Sequence, residues 1–361
     1  MKKDHVAILS VQETGFGAER VLANLVNGLP SEFADRCLLV RPAHSGLARW
    51  TAGGSVRGFD WHARHDKTSR NLLASLRAAR ELRGQGIGVV HGWGVRAFEP
   101  AVVLAALLGA RVSGTLHDHP RADYLGRARR VLLRATAPRL RPLVCASSVL
   151  ADTCRSTGLD ADITVIRSGL PPLPGAGADA RSRRGGAVRA GFLGLYARLK
   201  GFETVREWID RAGVEVEWHL YGEPAADLRA ACADLQARRL PNVVFHGWVD
   251  GAGAMDQIDV LVHASNTFDT YPTVLLEAAR AGIPALASDV GGSREIVEHG
   301  VTGFLFSTTE VGTGYDRLMA LALDADLRKR MGVAARRRFE EEFGLSRMVT
   351  AYVDLWCSAD S

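Results

Sequence analysis

In 361 residues the chain has only five cysteines, Cys37, Cys145, Cys154, Cys232 and Cys357, an odd and scattered set with no CxxC pair. That scarcity argues against a zinc site or a disulfide framework and reads as buried thiols in a reducing cytoplasm. No apolar run is long enough to cross a bilayer, and the opening MKKDHVAILSV is broken at Gln12 and Glu13, so neither a signal peptide nor a membrane span is expected. The first glycine turn, ETGFGAER, lacks the spacing of a dinucleotide fingerprint. Two Asp-Ala-Asp triplets, at 160–162 and 324–326, are not read as metal sites. One falls in a turn before a strand, and in the other Asp324 suits a helix cap.

What is present fits two α/β domains of ordinary size. Apolar strand-like runs alternate with helical stretches along the whole chain, which implies mostly parallel sheets with ligands at the carboxyl ends of their strands. We place an N-terminal domain at residues 1–167, a Pro/Gly/Ala-rich linker at 168–187, a second domain at 188–345 and a last amphipathic helix at 346–361. The polar, histidine-containing stretch from Gly46 to Arg70 reads as loops and short elements. HGW occurs twice, at His91 and His246, which does not establish a repeat. Charge is uneven: residues 1–167 hold 24 Lys+Arg against 14 Asp+Glu, and the remainder 21 against 26. An excess of about ten positive charges in the first domain points to an anionic partner.

The basic stretch RADYLGRARRVLLRATAPRLR carries seven arginines and one acid in 21 residues. If it is helical, Arg127, Arg130 and Arg134 share a face, and Leu125, Val131, Leu132 and Leu133 offer apolar surface. Two readings stay open, a solvated basic helix and an anionic membrane surface bound through Arg127–Arg141. Nucleic acid is not expected, since no aromatic interleaving or reading motif accompanies the arginines.

The richest stretch is IDVLVHASNTFDTYPTVLLEAARAGIPALASDVGGSREIVEHGVTGFLF, Ile258 to Phe306. A buried strand meets a loop, and Pro272 suits the first turn of a helix that Gly282 ends. Asp269 stands just before that helix and Glu277 lies on it, leaning back toward its mouth. Between them the first-turn amides of Thr273, Val274 and Leu275 favour an anion. This arrangement suits a sugar nucleotide, with diphosphate on the helix end and a carboxylate each for ribose and sugar. Spacing alone equally fits a helix with an N-terminal acid and a solvated glutamate.

The pattern acid-x-x-Pro-x-Val-x-x-Glu, followed by AARAGIPALASDVGGSREIVEHGVTGFLF, resembles the nucleotide-sugar site of the retaining glycosyltransferases of family 4, glycosyl transferases group 1. That resemblance implies the GT-B fold, two Rossmann-like β/α/β domains facing across a cleft, with the C-terminal helix crossing back to the N-terminal domain. It implies transfer of a sugar from a nucleoside-diphosphate sugar to an acceptor hydroxyl, with no cofactor and no metal. Residue by residue, it assigns Glu277 to the ribose, Asp269 to the donor sugar and His117, at the end of RVSGTLHDH, to the transferred sugar. The helix beginning Pro272, Thr273, Val274 takes the diphosphate together with Lys200 and Arg198. Gly15 and Gly17 form the first glycine turn, and Val249 contacts the base. The chain departs from the family in having Asp269 where glutamate is usual, Leu195 where an arginine is expected, and Ser168-Gly169 in place of Asn-Gly.

The expected partners are a nucleotide-sugar donor and a glycan, glycolipid or small-molecule acceptor, with the anionic membrane surface as a further candidate. Bacterial cell-surface glycan or glycolipid assembly, in the cytoplasm and at the inner face of the membrane, is the expected setting. The alternatives are a natural-product glycosyltransferase, a sugar-nucleotide epimerase of the same build, and a non-catalytic nucleotide-sugar-binding subunit.

Overall fold

Most of the apolar runs become strands and most of the amphipathic stretches after them become helices, so the chain winds into two parallel sheets. The computed structural model describes residues 4–13, 17–64, 68–121, 124–173, 186–249 and 251–358. Contacts divide the chain into two units, residues 1–171 with 345–361, and residues 172–344. Residues 174–185, most of the stretch read as a linker, lie outside the described residues.

The first unit holds β1 (His5–Leu9), β2 (Cys37–Pro42), β3 (Arg57–Trp61), β4 (Ile87–Trp93), β5 (Arg111–Leu116), β6 (Leu143–Cys145) and β7 (Ile163–Val165). Their order is β3-β2-β1-β4-β5-β6-β7, every pairing parallel. The second unit holds β8 (Val188–Leu193), β9 (Val216–Tyr221), β10 (Val243–Gly247), β11 (Val260–His263), β12 (Ala285–Ser288) and β13 (Gly303–Phe306), ordered β10-β9-β8-β11-β12-β13 and again parallel. In each sheet the strand order reverses beside the first strand, and loops leaving that pair open a crevice for ligands.

Strand β3, five residues long, is one of the short elements expected between Gly46 and Arg70. It is an edge strand in which Trp61 alone is buried, so it carries no apolar run for the sequence to reveal. An Arg41–Asp60 ion pair ties it to β2.

The C-terminal helix, Leu345–Cys357, belongs to the first unit and drives Met348, Val349, Tyr352 and Trp356 into the core formed by β1, β2 and β4. Tyr352 and Thr115 share a hydrogen bond of 2.8 Å between hydroxyls, and His91 spans Ser113 and Thr115 at 2.8 and 2.9 Å. Burial pushes His91 down to about 3, so this core histidine is neutral. Cys37, Cys145, Cys154 and Cys232 are buried, whereas Cys357, at the end of the last helix, is exposed and corrects the reading of five buried thiols.

In the second unit Arg189 grips Asp259 with Nε at 2.9 Å and Nη2 at 2.6 Å, while the Asp259 amide donates to Arg189 O at 2.8 Å. This bidentate pair fastens the start of β8 to the residue before β11 and fixes the register at the switch point.

The basic helix runs Arg127–Thr136. Leu125 and Leu133 are buried and offer no surface, which corrects that part of the reading. Arg129 is drawn inward to Glu99 at 2.6 Å and to Thr68 Oγ1 at 3.0 Å. Arg127 and Arg134 remain exposed on either side of Val131, which is 60% exposed. Among the described residues no helix is long and apolar enough to cross a membrane.

Candidate active site

The switch point of the second sheet lies between β8 and β11, and the residues after these strands form the candidate site. After β8 the chain makes a single turn, Arg198–Lys200, then passes through Gly201 into the helix Phe202–Arg211. Gly201 has φ +71°, and a Cβ there would lie 1.7 Å from Ala264 O. Only glycine lets the two loops pack this closely. The loop after β11 then binds the turn: Asn266 N and Ser265 Oγ donate to Leu199 O at 3.0 and 3.2 Å, and Asn266 Nδ2 to Arg198 O at 3.1 Å. Buried Ser288 holds that second loop in place by donating to Ser265 O at 2.7 Å.

The result is that Lys200 and Asp269 come together, Nζ to Oδ2, at 2.7 Å. The side chain of Asp269 is 17% exposed and that of Lys200 38%, so the pair stands at the surface of the crevice and is open to a ligand. Behind it lies His263, which sequence reasoning missed. Its Nε2 is 3.6 Å from Asp269 Oδ2. Burial is the main cause that lowers its pKa to about 4, with Lys200 adding to the effect and Asp269 opposing it, so it backs the carboxylate as a neutral ring. The one available signal was its position, the polar last residue of an apolar strand at the switch point.

The backbone of Asp269 is set by the paired glycines downstream. Gly292 N donates to Asp269 O at 2.8 Å. Gly291 takes φ +53°, with a built Cβ only 2.0 Å from the same carbonyl. The helix Thr273–Ala281 starts from Pro272, which has no side chain able to accept from the first turn, and ends at Gly282 in the left-handed region. Leu275 N already donates to Pro272 O at 3.1 Å, a correction to the expectation that it is open. Thr273 and Val274, half-buried at the mouth, remain the candidate anion-binding amides. Glu277 is half-buried one turn further along the same helix.

Arg198 is not brought to the pair. Its guanidinium meets Glu203 at 3.1 Å and is 64% exposed. Val249 is half-buried beyond β10. In the first unit His117 follows β5, its ring 4.8 Å from that of Trp93, and burial pushes its pKa down to about 4. Gly17 is the exposed first residue of the helix Gly17–Asn27, and Gly15 lies outside the described residues.

Two doubly wound parallel units of this order make a GT-B glycosyltransferase fold, and solved structures agree. The crystal structure of Anabaena Alr3699/HepE in complex with UDP-glucose is similar with a TM-score of 0.81 at 17% identity, covering 97% of this chain and 98% of that one. Residues 16–172 match the model of Glycosyltransferase Family 4 and residues 188–324 that of Glycosyl transferases group 1. The chain belongs to glycosyltransferase family 4. It is 28% identical to the lipopolysaccharide core biosynthesis glycosyltransferase LpsD of Rhizobium meliloti (strain 1021), over 94% of each chain. It is 27% identical to the GDP-mannose-dependent alpha-mannosyltransferase of Mycolicibacterium smegmatis, over 81% of this chain and 72% of that one.

Proposed function

We propose that this glycosyltransferase moves a sugar from a nucleoside diphosphate to a hydroxyl of a cell-surface glycan or glycolipid intermediate, with retention at the anomeric carbon and without a metal ion. The observation that carries this reading is the Lys200–Asp269 pair at the switch point, followed by the uncapped helix at Pro272. The names of LpsD and of HepE in complex with UDP-glucose support the substrate classes.

In this reading the diphosphate lies against the amides of Thr273 and Val274, where the positive end of the helix dipole favours it. Lys200 neutralises the charge that grows on the leaving phosphate, work that a metal ion would otherwise do. Asp269 accepts from sugar hydroxyls and Glu277 from the ribose. The acceptor oxygen bonds to the anomeric carbon on the face from which the diphosphate departs, and its proton passes to the departing phosphate oxygen. His117 is the first unit's candidate contact to the transferred sugar. Arg127 and Arg134, flanking Val131, are assigned to an anionic membrane surface.

Thermal shift with UDP, GDP and their sugars identifies the donor. Nuclear magnetic resonance of the product, formed in the presence of a chelator, then reads the anomeric configuration. An inverted product overturns retention, loss of turnover with the chelator overturns metal independence, and conversion of the donor with no acceptor present indicates an epimerase.

A further inference from the structure

The first unit contains a cavity of about 650 Å³ that the donor site does not use. It opens where β1, β2 and β3 end, lined by Glu13 after β1, Ser45 after β2, Trp61 and Arg64 at and beyond the end of β3, and Arg70 and Arg77 from the helix Thr68–Leu82. That is the carboxyl edge of the sheet, where a doubly wound fold binds ligands. The volume suits a small molecule of one or two rings.

The polar groups of its floor are already committed. Trp61 Nε1 donates to Ser10 O at 3.2 Å, and Ser45 Oγ donates to Pro42 O at 2.7 Å while accepting from Ala48 N at 3.1 Å. Recognition therefore falls to the exposed side chains, His44, His62 and the charged residues. Arg70, Ala74 and Arg77 recur at helical spacing, so both guanidiniums stand on the stripe that borders the cavity. Neither has a carboxylate partner among the described residues. Arg64 is held in position through its backbone by buried Asn71, which accepts from Arg64 N at 2.8 Å and donates to Arg64 O at 2.9 Å. Among the described lining residues three guanidiniums accompany one carboxylate, Glu13, whose oxygen is 4.0 Å from Arg64 Nε. Like charges gathered around a concavity repel one another and concentrate an anion there, and guanidinium is the cation best shaped for phosphate or carboxylate.

We infer that this cavity is an acceptor subsite for a sugar carrying a phosphate or carboxylate, held by Arg70 and Arg77 with Arg64. The inference rests on the proposed transfer reaction, in which the second unit takes the donor and the first is left for the acceptor, and it names the charge that the acceptor carries. Leu73, Ala63 and Ala74 supply the apolar wall on which the C–H face of the ring lies.

Titration calorimetry on the full chain, with glucose 6-phosphate, glucuronate and glucose as probes, tests it. The two anions are expected to bind at least tenfold more tightly than glucose, and less tightly as salt rises. The double variant Arg70→Gln/Arg77→Gln is expected to lose at least tenfold of that affinity while its UDP binding is unchanged. Equal binding of glucose and glucose 6-phosphate overturns the inference, and so does an unaffected double variant. Displacement of glucose 6-phosphate by UDP overturns it too, because the anion then sits in the nucleotide site. Retention of phosphatidylglycerol vesicles through these arginines, with no affinity for glucose 6-phosphate, overturns it in favour of a lipid headgroup. Anion binding that depends on these arginines in a protein that binds no nucleoside diphosphate upholds the anionic-sugar site and overturns only the transferase mechanism.

Discussion

Lys200 Nζ lies 2.7 Å from Asp269 Oδ2, so the two residues assigned to the diphosphate and to the donor sugar are each other's counter-ion in the protein alone. A donor that enters must share Lys200 with Asp269. In Lys200→Ala the switch point loses this cation, and kcat is expected to fall about 10²–10³-fold, or roughly 2–4 kcal/mol, as for loss of a charge-stabilising donor. Steady-state kinetics on a variant with wild-type thermal stability reads this, and unchanged kcat removes Lys200 from the mechanism.

The same pairing makes Asp269→Asn informative in the opposite direction. Without the carboxylate, Lys200 is released to the phosphates, so UDP is expected to bind tighter by about the worth of a partly exposed ion pair, up to roughly 1 kcal/mol or fivefold. Sugar transfer nonetheless falls, because an amide oxygen accepts from the sugar hydroxyls more weakly than the carboxylate does. Calorimetric titration of UDP decides it: weaker binding to the variant means that Asp269 does not compete for Lys200.

Gly291 supports Asp269 from behind. Alanine there meets both a left-handed backbone and the Asp269 carbonyl at 2.0 Å, whereas Gly300, also left-handed at φ +80°, has open space around it. Gly291→Ala is therefore expected to lower stability by about 1–3 kcal/mol and to cut transfer sharply. Gly300→Ala is expected to cost about 1 kcal/mol and leave transfer intact. Melting temperature and kcat of the two variants are compared. Equal effects on transfer remove Gly291 from the support of the site.

These tests mark where the sequence could be read and where it could not. Periodicity and glycine punctuation revealed most of the strands, because a buried parallel strand is a bare apolar run. Edge strand β3 has one buried residue and no such run. The pattern from Asp269 to Glu277 located the loop and helix, but a one-dimensional pattern does not say that Lys200, 69 positions earlier, closes on Asp269. Nor does it show His263 behind them, because a histidine at a strand end has the same appearance whether it faces solvent or a carboxylate. Arg198 and Lys200 look equivalent in the sequence, yet the bonds from Ser265 and Asn266 to the turn set them apart, one toward Glu203 and the other toward Asp269.

Acid should weaken the fold through its buried histidines. His91, His117 and His263 have native pKa values pushed down to about 3, 4 and 4, against 6.5 for a free side chain. With the folded value below the unfolded one, the stabilisation is present above pH 6.5 and is lost as pH falls toward 4, since the unfolded chain takes up protons that the native one refuses. Well inside that window each histidine contributes a slope of up to about 1.4 kcal/mol per pH unit. His91→Gln keeps a polar side chain between Ser113 and Thr115 but cannot titrate. Its denaturation free energy is expected to fall less steeply than wild type between pH 6.5 and pH 4.5, by about that slope. Parallel curves show that His91 is not the titrating group.

The first unit is the basic one, and part of its charge is displayed at the surface. Of the arginines in the helix Arg127–Thr136, Arg129 is spent on Glu99, while Arg127 and Arg134 stand exposed around Val131. At helical spacing these three share a stripe, cations on either side of an apolar residue, which is the arrangement that an anionic interface attracts. Each basic residue near such a surface contributes about 1 kcal/mol, and the attraction is screened within a Debye length. Vesicles containing phosphatidylglycerol are therefore expected to retain the protein at low salt and release it at high salt, and Arg127→Gln/Arg134→Gln to lower the partition coefficient roughly tenfold or more. Phosphatidylcholine vesicles are the control. Equal retention on both lipids, or salt-insensitive retention, shows that these arginines serve only as a solvated face of the helix.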